Sequence, residues 1–344
     1  MRIFLWFLIC FLLCSCQSGF YNGPPSDHFD GKKFYYPGER NIPKNRIADL
    51  VNLWIAIFQH PWPRQLPVIT YPPISNYTTN TKITFINHST VLIQSKKVNF
   101  LMDPIYSYRA SPVQWIGPAR VRSPGAKFEE LPRIDAVLIS HNHYDHMDLA
   151  TIQKLDKDHH PLFIVPLGNK VFLNRHGIHH VVELDWWQKI KVKKATVTLL
   201  PAHHSSQRWL HDYNRTLWGS FGLQVYGKKI YFAGDTGYAN HFKLIRNAWG
   251  KPDFSFLPIG AYEPRSLLKP EHLNPEEAVK SHLDLGSEES MGIHWGTFQL
   301  SAEALDQPLK DLAAARKRHH ISENKFFIKQ EGKPFDIKNS RLNS

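Results

Sequence analysis

Three histidines and an aspartate lie within six residues of this chain, one residue beyond the apolar run 136–139. The stretch reads His141-Asn142-His143-Tyr144-Asp145-His146. Side chains two residues apart in an extended segment point to the same side, so His141 and His143 can bind one ion, whereas Asp145 and His146 point apart and can reach a second. Histidine and aspartate without cysteine are ligands typical of a catalytic zinc site. A histidine-rich surface loop is the alternative interpretation.

Three further apolar runs are each followed by side chains that can bind metal. The runs 197–200, 229–233 and 290–293 precede, in turn, His203 and His204, Asp235, and His294. Loops at one edge of a sheet bring such side chains together, so we expect these residues to join the first stretch at one site. Taken singly, His294 could instead be a packed core histidine, and Asp235 could cap a turn.

The chain of 344 residues has a net charge of +12, which favours anionic partners such as phospholipid headgroups, phosphate-bearing substrates or nucleic acid. Its Lys and Arg residues are scattered and form no basic stripe with interleaved aromatic residues. This pattern does not indicate a nucleic-acid-binding protein.

The first sixteen residues resemble the signal peptide of a bacterial lipoprotein. Arg2 precedes an apolar stretch from 3 to 13, and the segment Leu13-Cys14-Ser15-Cys16 then resembles a lipobox in which Cys16 is lipid-modified. Gln17 after the cysteine favours the outer membrane of a two-membrane bacterium. An uncleaved anchor or a plain signal peptide are the alternatives. We therefore expect a lipid-anchored protein of the bacterial cell envelope.

The pattern of the remaining chain divides it into a connecting segment and one catalytic domain. Residues 17–45 are rich in Gly, Pro, Asp and Lys, which is typical of a tether, and apolar residues at helical spacing from 47 to 58 complete an extension that reaches residue 70. That helix either packs on the domain or rests on a membrane. The catalytic domain spans 71–344, with strands at 83–86, 90–93 and 98–101, and helices at 275–285 and 301–317. All three cysteines lie in the first sixteen residues, so the domain contains no disulfide.

The histidine motif, with the later His, Gly-Asp and His elements, resembles the metallo-β-lactamase superfamily. Within it the chain is similar to the branch that contains N-acylphosphatidylethanolamine-hydrolysing phospholipase D. The stretches Ala261-Tyr262-Glu263-Pro264-Arg265 and His294-Trp295-Gly296-Thr297-Phe298 carry the resemblance to this branch. The resemblance implies an α/β fold, a four-layer αβ/βα sandwich of two mixed β-sheets with helices outside.

It also implies a site with two zinc ions. One zinc would bind His141, His143 and His204, the second Asp145, His146 and His294, and Asp235 would bridge them. His204 is preferred to His203 because it aligns with the family ligand. Asp145 would also accept a proton from the attacking water, and His272 would contact the phosphate or leaving group unless it is only a helix-terminal histidine. The resemblance further places Asp103 behind the ligands and Tyr144 towards the substrate.

We therefore expect a phosphodiesterase of phospholipase D type that acts on (N-acyl)phosphatidylethanolamine-like lipids at a phospholipid membrane surface. Glu271 and Ser205 depart from the animal enzymes and leave the headgroup preference open. A lactone or amide hydrolase with the same metal site and a non-catalytic zinc-binding lipoprotein are the alternatives. Nucleic acid is not expected as a partner, and a homodimer stays open.

Overall fold

The computed structural model describes residues 20–38, 46–67 and 74–337. Its centre is formed by two seven-stranded sheets. The first sheet contains β1 (Thr81–Asn87), β2 (Thr90–Ser95), β3 (Val98–Met102), β4 (Ala136–Leu138), β5 (Leu162–Pro166), β6 (Val181–Leu184) and β14 (Phe335–Asp336), in the order β14-β1-β2-β3-β4-β5-β6. Strands β3 to β6 are parallel, whereas the pairs from β14 to β3 are antiparallel.

The second sheet has a related arrangement. It contains β7 (Lys189–Val192), β8 (Ala195–Leu200), β9 (Ser220–Val225), β10 (Lys228–Phe232), β11 (Phe254–Pro258), β12 (Glu289–Ile293) and β13 (Phe326–Phe327), in the order β13-β12-β11-β10-β9-β8-β7. Strands β10 to β13 are parallel, and β7 to β10 are antiparallel. Because parallel strands end at the same edge, the loops that follow them in each sheet are neighbours.

The helices of the described ranges are α1 (Arg46–Gln59), α2 (Leu149–His159), α3 (Asn169–Arg175), α4 (His241–Ala248), α5 (Arg265–Leu268), α6 (Pro275–Leu285) and α7 (Gln307–Arg318), with a short 3-10 turn at Phe128–Glu130. Helices α2 and α3 pack on the outer face of the first sheet, and α4, α6 and α7 on that of the second. Apolar side chains of both sheets, such as Phe100 and Phe256, form one core between them. Ile152 of α2 and Val279 of α6 belong to two outer cores. The four-layer sandwich expected from the sequence is confirmed.

The strands and the helix expected at 275–285 lie where the sequence predicted them. The helix expected from residue 301 instead begins at Gln307. Pro308 in its first turn has no backbone N–H and suits a helix start. Before it, the Glu303 carboxylate accepts hydrogen bonds from the backbone N–H groups of Ala261 and Glu263, which holds the preceding residues in a non-helical segment.

Residues 20–38 differ from the tether expected of their composition. Phe29 and Phe34 are buried in the core between the sheets. His28 stacks on Trp186 with ring centroids 4.4 Å apart, and its Nε2 atom lies 2.8 Å from a carboxylate oxygen of Asp185. This segment is therefore a packed part of the domain, which we call the N-terminal strap.

Helix α1 contacts the domain and also presents apolar side chains to solvent. Leu53 and Ile57 are half-buried and line a cavity of about 590 Å³ with Trp62, while Trp54 and Phe58 are exposed. Of the apolar stripe predicted from 47 to 58, Val51, Trp54 and Phe58 are thus exposed and Ile57 is half-buried, so packing of this stripe on the domain is not borne out for its described side chains. Within the described ranges, no helix is both long and apolar enough to cross a membrane.

Candidate metal centre

The residues that the sequence singled out converge at one edge of the sandwich. The motif that begins at His141 follows β4, and Asp103 follows β3. The second sheet contributes His204 after β8, Asp235 after β10 and His294 after β12. Seven predicted ligands come together as overlapping groups whose ligand atoms lie within 4.8 Å of one another: His141, His143, Asp145, His146, His204, Asp235 and His294.

The first group of donors consists of three imidazoles. Nδ1 of His143 lies 2.9 Å from Nε2 of His141 and 3.3 Å from Nε2 of His204. Nδ1 of His204 is 2.9 Å from the carbonyl oxygen of Glu271, which can only accept, so this nitrogen carries the proton. The lone pair on Nε2 of His204 is therefore directed at the cluster.

The second group combines carboxylate and imidazole donors. Nε2 of His146 lies 3.3 Å from Oδ2 of Asp145, and Nε2 of His294 lies 3.4 Å from the same oxygen. Asp235 lies between the two groups, since its Oδ2 atom is 3.2 Å from His146 Nε2, 3.1 Å from His294 Nε2 and 3.9 Å from His204 Nε2. This position suits a carboxylate that bridges two ions.

Asp103 lies behind the ligands and fixes two of them. Its carboxylate accepts a 2.7 Å hydrogen bond from Nδ1 of His146, which leaves Nε2 of that ring free to bind metal. The Ser140 hydroxyl donates to Asp103 over 2.6 Å and lies 2.9 Å from Nδ1 of His141. A hydroxyl that donates its proton to one partner accepts from the other, so His141 also directs Nε2 at the cluster.

Burial and the neighbouring charges shift the pKa values of these groups in opposite directions. Burial, opposed only in part by the charge of Asp235, lowers the pKa of His204 to about 3. Burial also acts to lower the pKa of His294, but attraction to the Asp235 carboxylate, 3.1 Å away, and the closeness of Asp145 outweigh it and raise the pKa to about 9. Burial acts to raise the pKa of Asp235, yet His146 and His294 hold it well below its usual range. Near neutral pH the carboxylates and His294 are therefore charged while His204 is neutral, and metal binding would displace the proton of His294.

The unpartnered buried atoms of the cluster also fit bound metal. Nε2 of His146, Nδ1 and Nε2 of His294, and Oδ1 of Asp235 are buried and make no hydrogen bond within the part of the chain that is described. Unpaired buried polar atoms are costly in a folded protein. A cluster of nitrogen and oxygen donors with unused lone pairs therefore fits one or more borderline divalent ions such as zinc.

His88 is a further member of the cluster that the sequence analysis missed. It lies in the turn between β1 and β2, and its Nε2 atom lies 2.9 Å from Oδ2 of Asp145. The carboxylate accepts this hydrogen bond, so the same nitrogen carries a proton and orients Asp145. A lone histidine directly after an apolar strand was the only signal in the sequence.

Three other residues of interest have distinct positions. His272 is at the cluster, with Nδ1 3.9 Å from Asp235 Oδ2. His203 is not in any of the donor groups and instead packs on Tyr36 of the strap, with ring centroids 4.3 Å apart. Tyr144, expected to face the substrate, donates its hydroxyl proton to the carbonyl of Arg208 and lies under that guanidinium. Its hydroxyl therefore supports the loop after His204.

The fold and the donor set together define a metal-dependent hydrolase. Residues 98–295 match the family model described as the beta-lactamase superfamily domain. The chain is 38% identical over 249 residues to N-acyl-phosphatidylethanolamine-hydrolyzing phospholipase D 1 of Caenorhabditis elegans, covering 68% of this chain and 70% of that protein. The chain therefore belongs to the metallo-β-lactamase superfamily and, within it, to the family of this phospholipase D.

Two further comparisons extend this result. The chain is 40% identical over 245 residues to an uncharacterised protein of Mycobacterium tuberculosis, and the match covers 70% of this chain and 65% of that one. A solved metallo hydrolase of the archaeon Ignicoccus hospitalis superposes with a TM-score of 0.56 at 21% identity, covering 76% of this chain and all of the other. The archaeal structure shows a shared fold. The strap and His88 lie outside the segment that matches the family model.

Proposed function

We propose that this chain is a zinc-dependent phosphodiesterase that cleaves membrane phospholipids in the manner of a phospholipase D. The observation that carries the proposal is the convergence of two donor groups around Asp235 in a chain 38% identical to a phospholipase D. Two zinc ions held there would activate water and stabilise the negative charge that develops at phosphorus.

The residues of the chain supply the remaining functions. Asp145 is held by His88 and His146. As an ionised carboxylate of the second donor group, it can accept a proton from the attacking water. Burial lowers the pKa of His272 to about 4, so its ring is neutral near neutral pH and can donate a hydrogen bond to a phosphate or leaving-group oxygen. Asp103 and Ser140 keep the ligands in place.

Two features of the chain support a membrane phospholipid as the substrate. The net charge of +12 attracts a surface of anionic lipids, and the cavity beneath α1 is lined by apolar side chains with Arg64 and Arg109 beside them. We further propose that Cys16, which lies outside the described residues, carries a lipid and holds the chain on the bacterial outer membrane. Labelling with a fatty-acid analogue tests this anchor, and a chain of full length without label would contradict it.

The decisive experiment measures bound metal and hydrolysis together on the full chain. We expect about two equivalents of zinc and release of phosphatidic acid from phosphatidylethanolamine or its N-acyl derivative. His143→Ala and Asp235→Asn should abolish both zinc binding and hydrolysis. His179→Ala is the matched control, because His179 is an exposed histidine away from the cluster. Turnover of lactones without cleavage of any phospholipid would replace the proposal with a lactonase. Bound zinc with no hydrolysis of either class would indicate a binding protein.

A further inference from the structure

A loop beside the metal centre presents two apolar side chains to solvent. This loop, residues 205–215, follows the candidate ligand His204 and is called the site loop below. At its tip Trp209 is 46% exposed and Leu210 is 84% exposed. Leu210 is the most exposed large apolar side chain among the residues whose exposure the structure describes. Contiguous exposed apolar side chains, unlike scattered single ones, mark surfaces that contact another protein or a membrane.

The site loop is braced, so the exposure of its tip is a fixed feature of the fold. The carboxylate of Asp212 accepts hydrogen bonds from the backbone N–H groups of Arg208 and Trp209, at 3.0 and 2.8 Å. Nη1 of Arg208 donates to the carbonyls of Asn142 and Met147, both at 2.8 Å. These carbonyls belong to the histidine motif and to the residue that follows it, and the tip is therefore held at a set position relative to the metal centre.

The N-terminal strap runs to the base of the same loop. The backbone N–H of Phe34 donates to the carbonyl of Asn214 over 2.8 Å. The guanidinium of Arg215 lies 4.5 Å from the centroid of the Phe20 ring. Phe20 is only four residues beyond Cys16, and four residues span about 14 Å at most. A lipid on Cys16 would therefore keep the base of the site loop close to the bilayer surface.

We propose that Trp209 and Leu210 insert into the headgroup region of a phospholipid bilayer and hold the metal centre close to it. Tryptophan is favoured at the interface between lipid and water, and a leucine side chain gains by leaving water for the acyl boundary. This orientation rests on the lipid anchor at Cys16 and serves the proposed phospholipid hydrolysis. The tip and the anchor together fix two points of the domain, which orients it better than a flexible lipid attachment alone.

The first test reports directly on the environment of the tip. A polarity-sensitive fluorophore is attached to Leu210→Cys in the full chain, in which Cys10 and Cys14 are replaced by alanine. The matched control carries the label at Leu283→Cys, an exposed leucine of α6 that is 42% accessible, and the parent without an added cysteine gives the background. On vesicles of phosphatidylethanolamine and phosphatidylglycerol, we expect a blue shift of the fluorescence at position 210 and quenching by a lipid-borne quencher, with neither effect at position 283.

No change at position 210, or equal changes at both positions, would overturn the proposal. A blue shift that appears without vesicles and grows with protein concentration would assign the tip to a second copy of the chain and would also overturn it.

The second test separates docking from catalysis. The double variant Trp209→Ser/Leu210→Ser should hydrolyse vesicle-embedded phospholipid about tenfold more slowly, because loss of a buried leucine side chain changes a partition constant by at least this factor. Its turnover of a water-soluble phosphodiester, bis(4-nitrophenyl) phosphate, should stay unchanged. Equal losses on both substrates would show that the tip shapes the metal centre and would reject docking. If the wild-type chain cleaves neither substrate, the proposed function fails, while the fluorescence result still decides whether the tip binds lipid.

Discussion

Nε2 of His88 donates a hydrogen bond of 2.9 Å to Oδ2 of Asp145, and both side chains are buried. His88 lies in a turn of the first sheet, and this contact fixes the orientation of the Asp145 carboxylate in the metal centre. Loss of a group that orients a ligand typically costs 10- to 100-fold in metal affinity. We expect His88→Ala to weaken zinc binding by about this factor, and His88→Gln, which keeps a donor, to weaken it less. Competition with a chelator measures the affinity, with His179→Ala as the control. Unchanged affinity in His88→Ala would contradict the orienting role.

Gly260 allows a close approach between the chain after β11 and the candidate ligand His294. A Cβ atom at position 260 would lie 2.1 Å from the carbonyl oxygen of His294. Gly260→Ala must displace this backbone, and we expect a loss of about 1–3 kcal/mol in the free energy of unfolding and weaker zinc binding. Urea unfolding with and without zinc measures both effects.

The control for this variant is Gly177→Ala. Gly177 has a φ of +85° but no atom within 4 Å of an added Cβ, so the substitution strains the backbone without reaching the centre. It should lower stability equally with and without zinc. A similar zinc dependence in both variants would show that the contact between Gly260 and His294 does not affect the metal centre.

His282 of α6 makes the stability of the fold depend on pH. Burial and the nearby Lys325 lower its pKa to about 4, and its Nδ1 atom lies 2.8 Å from the Ser290 hydroxyl. The unfolded chain, with an imidazole pKa near 6.5, binds a proton at a pH where the folded chain does not. Stability is therefore lost as the pH falls from 6.5 to 4, by about 2 kcal/mol at pH 5. His282→Gln should flatten this dependence in urea unfolding at several pH values, and an unchanged slope would contradict the assignment.

The strap contributes to the stability of the domain through Phe34. This side chain is 1% exposed and lies in the core between the sheets. Phe34→Ala leaves a cavity there, and we expect a loss of about 3–5 kcal/mol in the free energy of unfolding. Phe58→Ala is the matched control, because Phe58 is 76% exposed on α1 and its loss should change stability little. A small effect of Phe34→Ala would mean that the strap detaches easily from the domain.

Much of the centre could be predicted because its ligands share one local pattern. Each follows a strand that ends in apolar residues, as Asp235 follows β10 and His294 follows β12, and parallel strands of one sheet end at a common edge. His88 also follows an apolar strand, β1, but it lies in a two-residue hairpin turn with no second metal-binding side chain beside it. The strap was misread because its composition is that of a tether, and the burial of Phe29 and Phe34 depends on contacts with distant strands. The late start of α7 follows from hydrogen bonds of Glu303 that no periodicity reveals.

The ligands come from both sheets, and this division gives a bound ion a mechanical function. His141 and His146 extend from the first sheet, and His204, Asp235 and His294 from the second. Metal at the shared edge would therefore add bonds between two halves that apolar packing and hydrogen bonds, such as Gly219 N–H to the Ser140 carbonyl, already join. Without cysteines after Cys16, the domain has no disulfide to do this. Each tenfold rise in free zinc above its dissociation constant would then add about 1.4 kcal/mol to the stability of the protein. The supply of metal would then set the lifetime of the protein as well as its activity.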